Sequence, residues 1–245
     1  MQILLIDIKQ TFRNKRFILF TLLIPVFWYL MMVSLAKSAG FLTANYAYIW
    51  IICANIIGIS GNSIITFAKK TSNTKHFYQI QDQTSEYNVI KWILTQLAMQ
   101  FLLNLIISLA IILTGFIIQA ITININTVIM LILLSFFGLY LSIIGFLLGI
   151  VLDKKTLDAV AMPLTMFTAI LMIPFNTWLS GTFANIITPI QKAFPGYYLV
   201  TIIFNLINDI SISSAILKYM LTLTLAIVPI AILYLLQKRD HIHAH

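Results

Sequence analysis

A chain of 245 residues that is 60% apolar, 9% charged and has a mean hydropathy of +0.98 cannot hide its apolar surface in a water-soluble fold, where about half of the residues are apolar and about a quarter charged. The formal net charge of +8 would point to nucleic acid in a soluble protein, but here the basic residues gather between long uncharged runs, which makes lipid the solvent and excludes nucleic-acid binding. The single cysteine, Cys53, lies in an apolar run, so an intrachain disulfide is excluded and the residue is read as packing.

At the start of the chain Met1, Leu4, Leu5, Ile8 and Phe12 recur at helical spacing, with Asp7, Lys9, Arg13 and Lys15 falling mainly elsewhere. This predicts an amphipathic helix over residues 1–16 lying along the inner membrane interface, its cations toward lipid headgroups; the alternative is a plain cytoplasmic lead into the first span. That span, Phe17 to Ala36, follows a basic stretch and ends in Ser34-Leu35-Ala36, which has the small-x-small form of a signal cleavage site. Its apolar run exceeds the usual h-region of about 7–15 residues, so it is read as a retained span.

The second span runs from Tyr46 to Ala68, and the most polar segment of the chain follows it, from Lys69 to Asn88. Its middle, Thr74, Lys75, His76, Phe77, Tyr78, Gln79, Ile80 and Gln81, is expected as a short helix carrying aromatics, and Thr84-Ser85 as the cap of a helix running into the third span. Such a helix is either a docking peg for a soluble partner or part of an ordinary polar loop. The third span, Trp92 to Ile118, is longer than a bilayer needs, so it should tilt or project a turn. The fourth spans Val128 to Leu152, the fifth Ala159 to Trp178 with Pro163 and Pro174 inside it, and the sixth Ala215 to Leu236. Between the last two, Phe183 to Ile190 and Tyr197 to Ile207 are apolar but too short to cross; they are either short helices dipping back into the outer leaflet or an outer-surface hairpin. A tail over residues 237–245 carries His241, His243 and His245 and is read as frayed chain rather than a metal site.

With the N-terminus inside, Lys9, Arg13, Lys15, Arg16, Lys69, Lys70, Lys75, Lys91, Lys154, Lys155, Lys238 and Arg239 face the cytoplasm and only Lys37, Lys192 and Lys218 lie outside. This positive-inside bias predicts a multi-pass protein of the cytoplasmic membrane with both termini cytoplasmic.

No Asp, Glu, Lys or Arg falls well inside a span, which argues against carriers that place ionisable groups at the midplane. The polar groups there are amides and hydroxyls: Gln96, Gln100, Asn104 and Ser108 repeat along one face of the third span, and Asn55 and Asn62 lie in the second. Helix packing is the first expectation for them, with Asn55, Asn62, Gln100 and Asn104, together with Met166 and Met172, as candidates for lining a substrate pathway. Gly58 and Gly61 in the second span, and Gly138, Ser142, Gly145 and Gly149 in the fourth, predict close helix approach. No phosphate-binding loop, no His and carboxylate set with metal spacing and no nucleophile with a partner base is visible, so the chain is not expected to be an enzyme by itself.

The order of these features resembles the ABC-2 type permease family over essentially the whole chain. The matching parts are the N-terminal helix with Lys15-Arg16 leading into the first span, the Lys69 to Lys91 segment, and Phe194-Pro195-Gly196-Tyr197-Tyr198 before the last span. The resemblance implies a single all-α transmembrane domain over residues 1–245: an interfacial helix, a six-span bundle over residues 17–236 with re-entrant outer helices between spans five and six, and a cytoplasmic tail. It implies that Thr74 to Gln81 is a coupling helix docked on an ABC ATPase present in two copies, which holds the ATP and Mg, while this chain binds no cofactor. It further implies a second permease subunit, identical or related, and export of a drug, a lipid-like compound or an antimicrobial peptide. Where family members often carry acidic residues ahead of the coupling helix, this chain has Lys69-Lys70. The rival expectation is a non-transporting binding or sensor subunit of a membrane complex.

Overall fold

In hydrocarbon a backbone must satisfy its own hydrogen bonds, so long apolar runs of this kind close into helices. The computed structural model describes residues 2–84, 89–172, 175–177, 181–225 and 228, and among them it contains helices and no strand. Five helical segments are long and apolar enough to cross a membrane: Ile18–Ser38, Asn45–His76, Lys91–Ile117, Ile125–Val151 and Lys154–Met172. The elements are α1 (Gln2–Arg13), α2 (Ile24–Ser38), α3 (Ala44–Ser60), α4 (Ala68–Thr84), α5 (Val89–Ile117), α6 (Ile125–Val151), α7 (Lys154–Met172), α8 (Thr182–Gln191), α9 (Pro195–Ile207) and α10 (Ser213–Leu225). Two π-helical stretches, Ile18–Leu23 before α2 and Gly61–Phe67 between α3 and α4, widen the first and second spans and pack against each other.

Of the expected sixth span, Ala215 to Leu236, residues 215–225 lie in α10, 13 residues long and not among the five spanning segments; residues 226–227 and 229–236 lie outside the described residues, as do the Ser85 cap, Pro174, Trp178 and the histidine-bearing tail.

Two boundaries depart from expectation. The second span does not stop at Ala68 to give way to a separate short helix over Thr74 to Gln81; α3, the π stretch and α4 form one continuous helix to Thr84. Between Ala68 and Thr84 there is neither glycine nor proline to break it, and polarity alone does not end a helix. The fifth span begins at Lys154 rather than Ala159, because the Asp153 carboxylate accepts from the Thr156 backbone N–H at 3.3 Å and caps the helix five residues early. The Thr156 hydroxyl donates to the same carboxylate and holds its pKa below the usual range. Pro163 is accommodated inside α7, as membrane helices permit when neighbours cover the freed carbonyl.

The main core cluster is contributed chiefly by α3, α5, α6 and α9, with Ile51, Ile59, Ile107, Leu134, Phe137 and Leu199 all buried. Tyr29 from α2 and Tyr219 from α10 complete it, and the Tyr219 hydroxyl donates to the Leu133 carbonyl at 2.7 Å. At one end of the bundle the Tyr48 hydroxyl donates to the Thr122 carbonyl at 3.0 Å, and Asn124 and Thr127 form a capping box that starts α6. At the other end lie α1 and the lysines of α4 and α7. There Ile8 and Phe12 of α1 pack on Phe17, Met99 and Leu103 while Lys9 and Arg13 stay exposed. Of the two short helices α8 and α9, α9 buries Leu199, Ile202 and Ile203 in the core, whereas α8 leaves Phe183, Ile186 and Ile190 exposed.

Candidate functional site

Three features converge on the second span. The first is a buried polar network. Asn62 and Ser63 from the π stretch meet Gln100 and Asn104 of α5 and Ser142 of α6, every side chain being almost fully buried. The Asn62 amide donates to Gln100 Oε1 and to Asn104 Oδ1, both at 2.8 Å. The Asn104 amide donates to Ser63 Oγ at 3.2 Å and Ser142 Oγ at 3.3 Å, and the two serine hydroxyls lie 2.9 Å apart. Ser142 also donates to the Gly138 carbonyl of its own helix at 2.7 Å. Bonds of this kind contribute about 0.6 to 1.7 kcal/mol each in a membrane bundle, and their shared partners lock three spans into one register.

The small residues of α6 make that approach possible. A side chain at Gly138 would strike Asn104, one at Gly145 would stand 1.9 Å from the Ser63 carbonyl oxygen, and one at Gly149 would stand 2.5 Å from the Ala68 carbonyl oxygen. The Gly138, Ser142, Gly145 and Gly149 stripe is therefore the seam on which the π stretch and α5 sit. Next to it, Phe146 packs between Phe67 and Trp92, with ring centroids 6.2 and 5.2 Å away.

The second feature is the attachment of α4. Its Lys75 ammonium donates to the Ile150 carbonyl at 2.8 Å and its Ser72 hydroxyl to the Leu152 carbonyl at 3.0 Å, so two of the orphan carbonyls at the end of α6 are capped by α4. Thr71 is buried against Gly149 at the same junction. Replacing Lys75 by Met and Ser72 by Ala together is expected to loosen this junction by about 1–2 kcal/mol. Hydrogen exchange should detect it as faster exchange of the amides over residues 70–76, with the core amides of α5 unchanged.

The third feature is a cavity of about 1130 Å³ at the lysine-rich end, bounded by α1, the first π stretch, the second span and α7. Few ligand pockets exceed about 1,000 Å³. Lys69, Lys70, Asn73, Thr74 and Lys154 border it together with Phe20, Ile24, Ile57, Met166 and Ala169. Lys69 is paired with Asp158, one helical turn beyond Lys154. Ser60, 2% exposed, borders the cavity too, and its hydroxyl has no hydrogen-bond partner.

The residues singled out in the sequence are thus dispersed. Asn62, Gln100 and Asn104 share the network. Asn55 is buried on α3, where its amide donates to its own helix at the Ile51 carbonyl, 2.9 Å away, and its Oδ1 has no partner. Met166 is exposed on the wall of the large cavity, while Met172 is buried beside a separate apolar pocket of about 220 Å³ between α6, α7 and Gly196. Thr74 borders the large cavity, Lys75 is engaged at α6 and His76 is exposed; for Phe77, Tyr78, Gln79, Ile80 and Gln81 the helical backbone of α4 is described and their side chains are not. The contacts of Ser63 and Ser72 and the buried hydroxyl of Ser60 were not foreseen from the sequence, since a lone serine in or beside a span carries no periodic signal; only the adjacency of Ser63 to Asn62 hinted at it. Among the described residues no group of three or more His, Cys, Asp or Glu side chains is arranged to hold a metal ion. No family model matches the chain, and comparisons with curated proteins and with solved structures likewise return no match.

Proposed function

We propose that this chain is the permease subunit of an ATP-driven exporter, moving an amphiphilic or hydrophobic cargo across the cytoplasmic membrane while a separate ATPase, present in two copies and holding ATP and Mg, does the work. The observation that carries this is the unbroken helix from the second span through α4, fastened to the end of α6 by Lys75 and Ser72. A partner that pushes on residues 74–81 moves a rigid lever, and the capped carbonyls pass that motion to the fourth span and, through the Asn62, Asn104 and Ser142 network, to the third. Among the residues whose burial is described no Asp, Glu, Lys or Arg is buried, which supports an external engine over an ion-coupled one.

In this proposal α10 opens the sixth span, the lysine-rich end faces the cytoplasm, and α8 and α9 turn back from the outer face. A second permease, identical or related, covers the exposed apolar surface that includes Phe20, Phe27, Ile57, Met162 and Met166.

The test is copurification from native membranes. The wild type is expected to retain a stoichiometric ATPase, and Phe77→Asp with Tyr78→Asp to lose it while the permease keeps its elution profile. Two acidic groups in an apolar contact cost several kcal/mol, enough for about a hundredfold loss of affinity or more. An ATPase retained equally by both proteins would place the docking site elsewhere; finding none with the wild type would overturn the proposal.

A further inference from the structure

We infer that a pocket at the end of the bundle opposite the lysines binds an alkylammonium group, a primary ammonium on a short hydrocarbon stem, carried by a free amine or by the lysine side chain of a peptide. The site is independent of whether this chain transports anything.

The pocket has a volume of about 280 Å³ and lies where the end of α9 meets the starts of α3 and α6. Asp209 borders it, and no Lys or Arg does. The Asp209 carboxylate is exposed and makes no ion pair or hydrogen bond with the described residues. Its place in the chain concentrates negative potential. The C-terminus of α9 closes with the Asn208 N–H donating to the Phe204 and Asn205 carbonyls and the Ile210 N–H to the Asn205 carbonyl at 2.9 Å. Asp209 follows that cap at φ 55°, where glycine or asparagine is the usual residue. A carboxylate there adds to the partial negative charge of the helix end, which favours a cation. The start of α6, whose dipole has the opposite sign, is answered by its own capping box of Asn124 and Thr127.

The neutral groups of the pocket offer oxygens to an ammonium. The Asn126 amide donates to the Leu206 carbonyl at 3.2 Å, which leaves its side-chain oxygen as an acceptor. The Thr122 carbonyl takes the Tyr48 and Thr127 hydroxyls, both at 3.0 Å, while the Thr122 hydroxyl itself is uncommitted. Below these groups the floor is hydrocarbon, with Met130 and Ile203 each 1% exposed. An alkylammonium matches both parts, its head among the oxygens and its stem on the floor. A bare calcium ion matches neither, since it takes about six to eight oxygen ligands and leaves the apolar floor unused. An anion meets the same negative potential that favours the cation.

The test is fluorine NMR of the full-length protein in detergent, titrated against trifluorobutylammonium, with trifluorobutanol as the uncharged counterpart and empty micelles as the blank. The wild type is expected to bind the ammonium about fivefold more tightly than the alcohol, the size of effect an exposed ion pair supports. Asp209→Asn keeps a residue suited to the left-handed backbone and should abolish that preference. Asn45→Trp, at an exposed position on the rim, narrows the mouth without touching the charge and should weaken both probes. It serves as the second readout if Asp209→Asn folds poorly. Competition by Nα-acetyl-lysine methylamide separates the two sources: displacement of the probe extends the ligand to peptide side chains, and no displacement restricts it to free amines. Equal binding of ammonium and alcohol by the wild type overturns the inference. So does an ammonium preference that survives Asp209→Asn, or displacement of the probe by millimolar calcium, which would make the pocket a metal site.

Discussion

Gly145→Ala is expected to dismantle the bundle. The added methyl would sit 1.9 Å from the Ser63 carbonyl oxygen and 2.9 Å from its carbonyl carbon, and both are backbone atoms that cannot rotate away. Ordinary contact needs about 3.4 Å or more, so the second and fourth spans must separate. That displacement stretches the Ser63 to Ser142 contact, now 2.9 Å, and opens the seam at Gly149. Overpacking of this kind costs about 3 kcal/mol or more, a large share of the stability of a bundle this size. Thermal unfolding followed by size exclusion in detergent should show a strongly lowered midpoint or loss of the monodisperse species. Gly61→Ala is the matched control: a methyl there meets nothing within 4 Å and its backbone is ordinary helix, so the change should stay within about 0.5 kcal/mol. Equal damage from both substitutions would refute close packing at the α6 seam.

Asn104→Leu is expected to lower stability by about 2–3 kcal/mol, since it removes the acceptor for Asn62 and the donor to Ser63 and Ser142 in one step and leaves those groups buried. The side chain also lies directly over Gly138, where a leucine of similar outline gains packing but cannot recover the bonds. Asn55→Leu supplies the contrast. Its amide serves only a carbonyl of its own helix and its oxygen is unpartnered, so an apolar replacement should be neutral or stabilising. If Asn104 instead served chiefly as a cargo contact, Asn104→Leu would alter transport with the unfolding midpoint unchanged, and that outcome would refute the structural role assigned to the network.

What the sequence determined by itself is what depends on local composition. Uncharged runs long enough to cross a bilayer specified the first, third and fourth spans and the start of the second to within a few residues, because in lipid every apolar run of that length has one backbone solution. The two short apolar pieces before the last span likewise appear as α8 and α9. The Gly138 to Gly149 stripe announced close packing, though not what would lie on it.

Only the tertiary structure decided the rest, because it depends on partners far apart in the chain. Lys69 to Thr84 resembles a loop in composition, yet it continues the second span, for α6 presents two uncapped carbonyls 75 and 80 residues away that Lys75 and Ser72 satisfy. The face of α5 with Gln100 and Asn104 was visible as a polar repeat, whereas its pairing with Asn62, Ser63 and Ser142 requires the π stretch to be packed on α6. The large cavity belongs to no single segment: it exists where α1, the π-helical stretches of the first two spans and α7 fail to close against one another, and no periodicity in a linear sequence records such a gap.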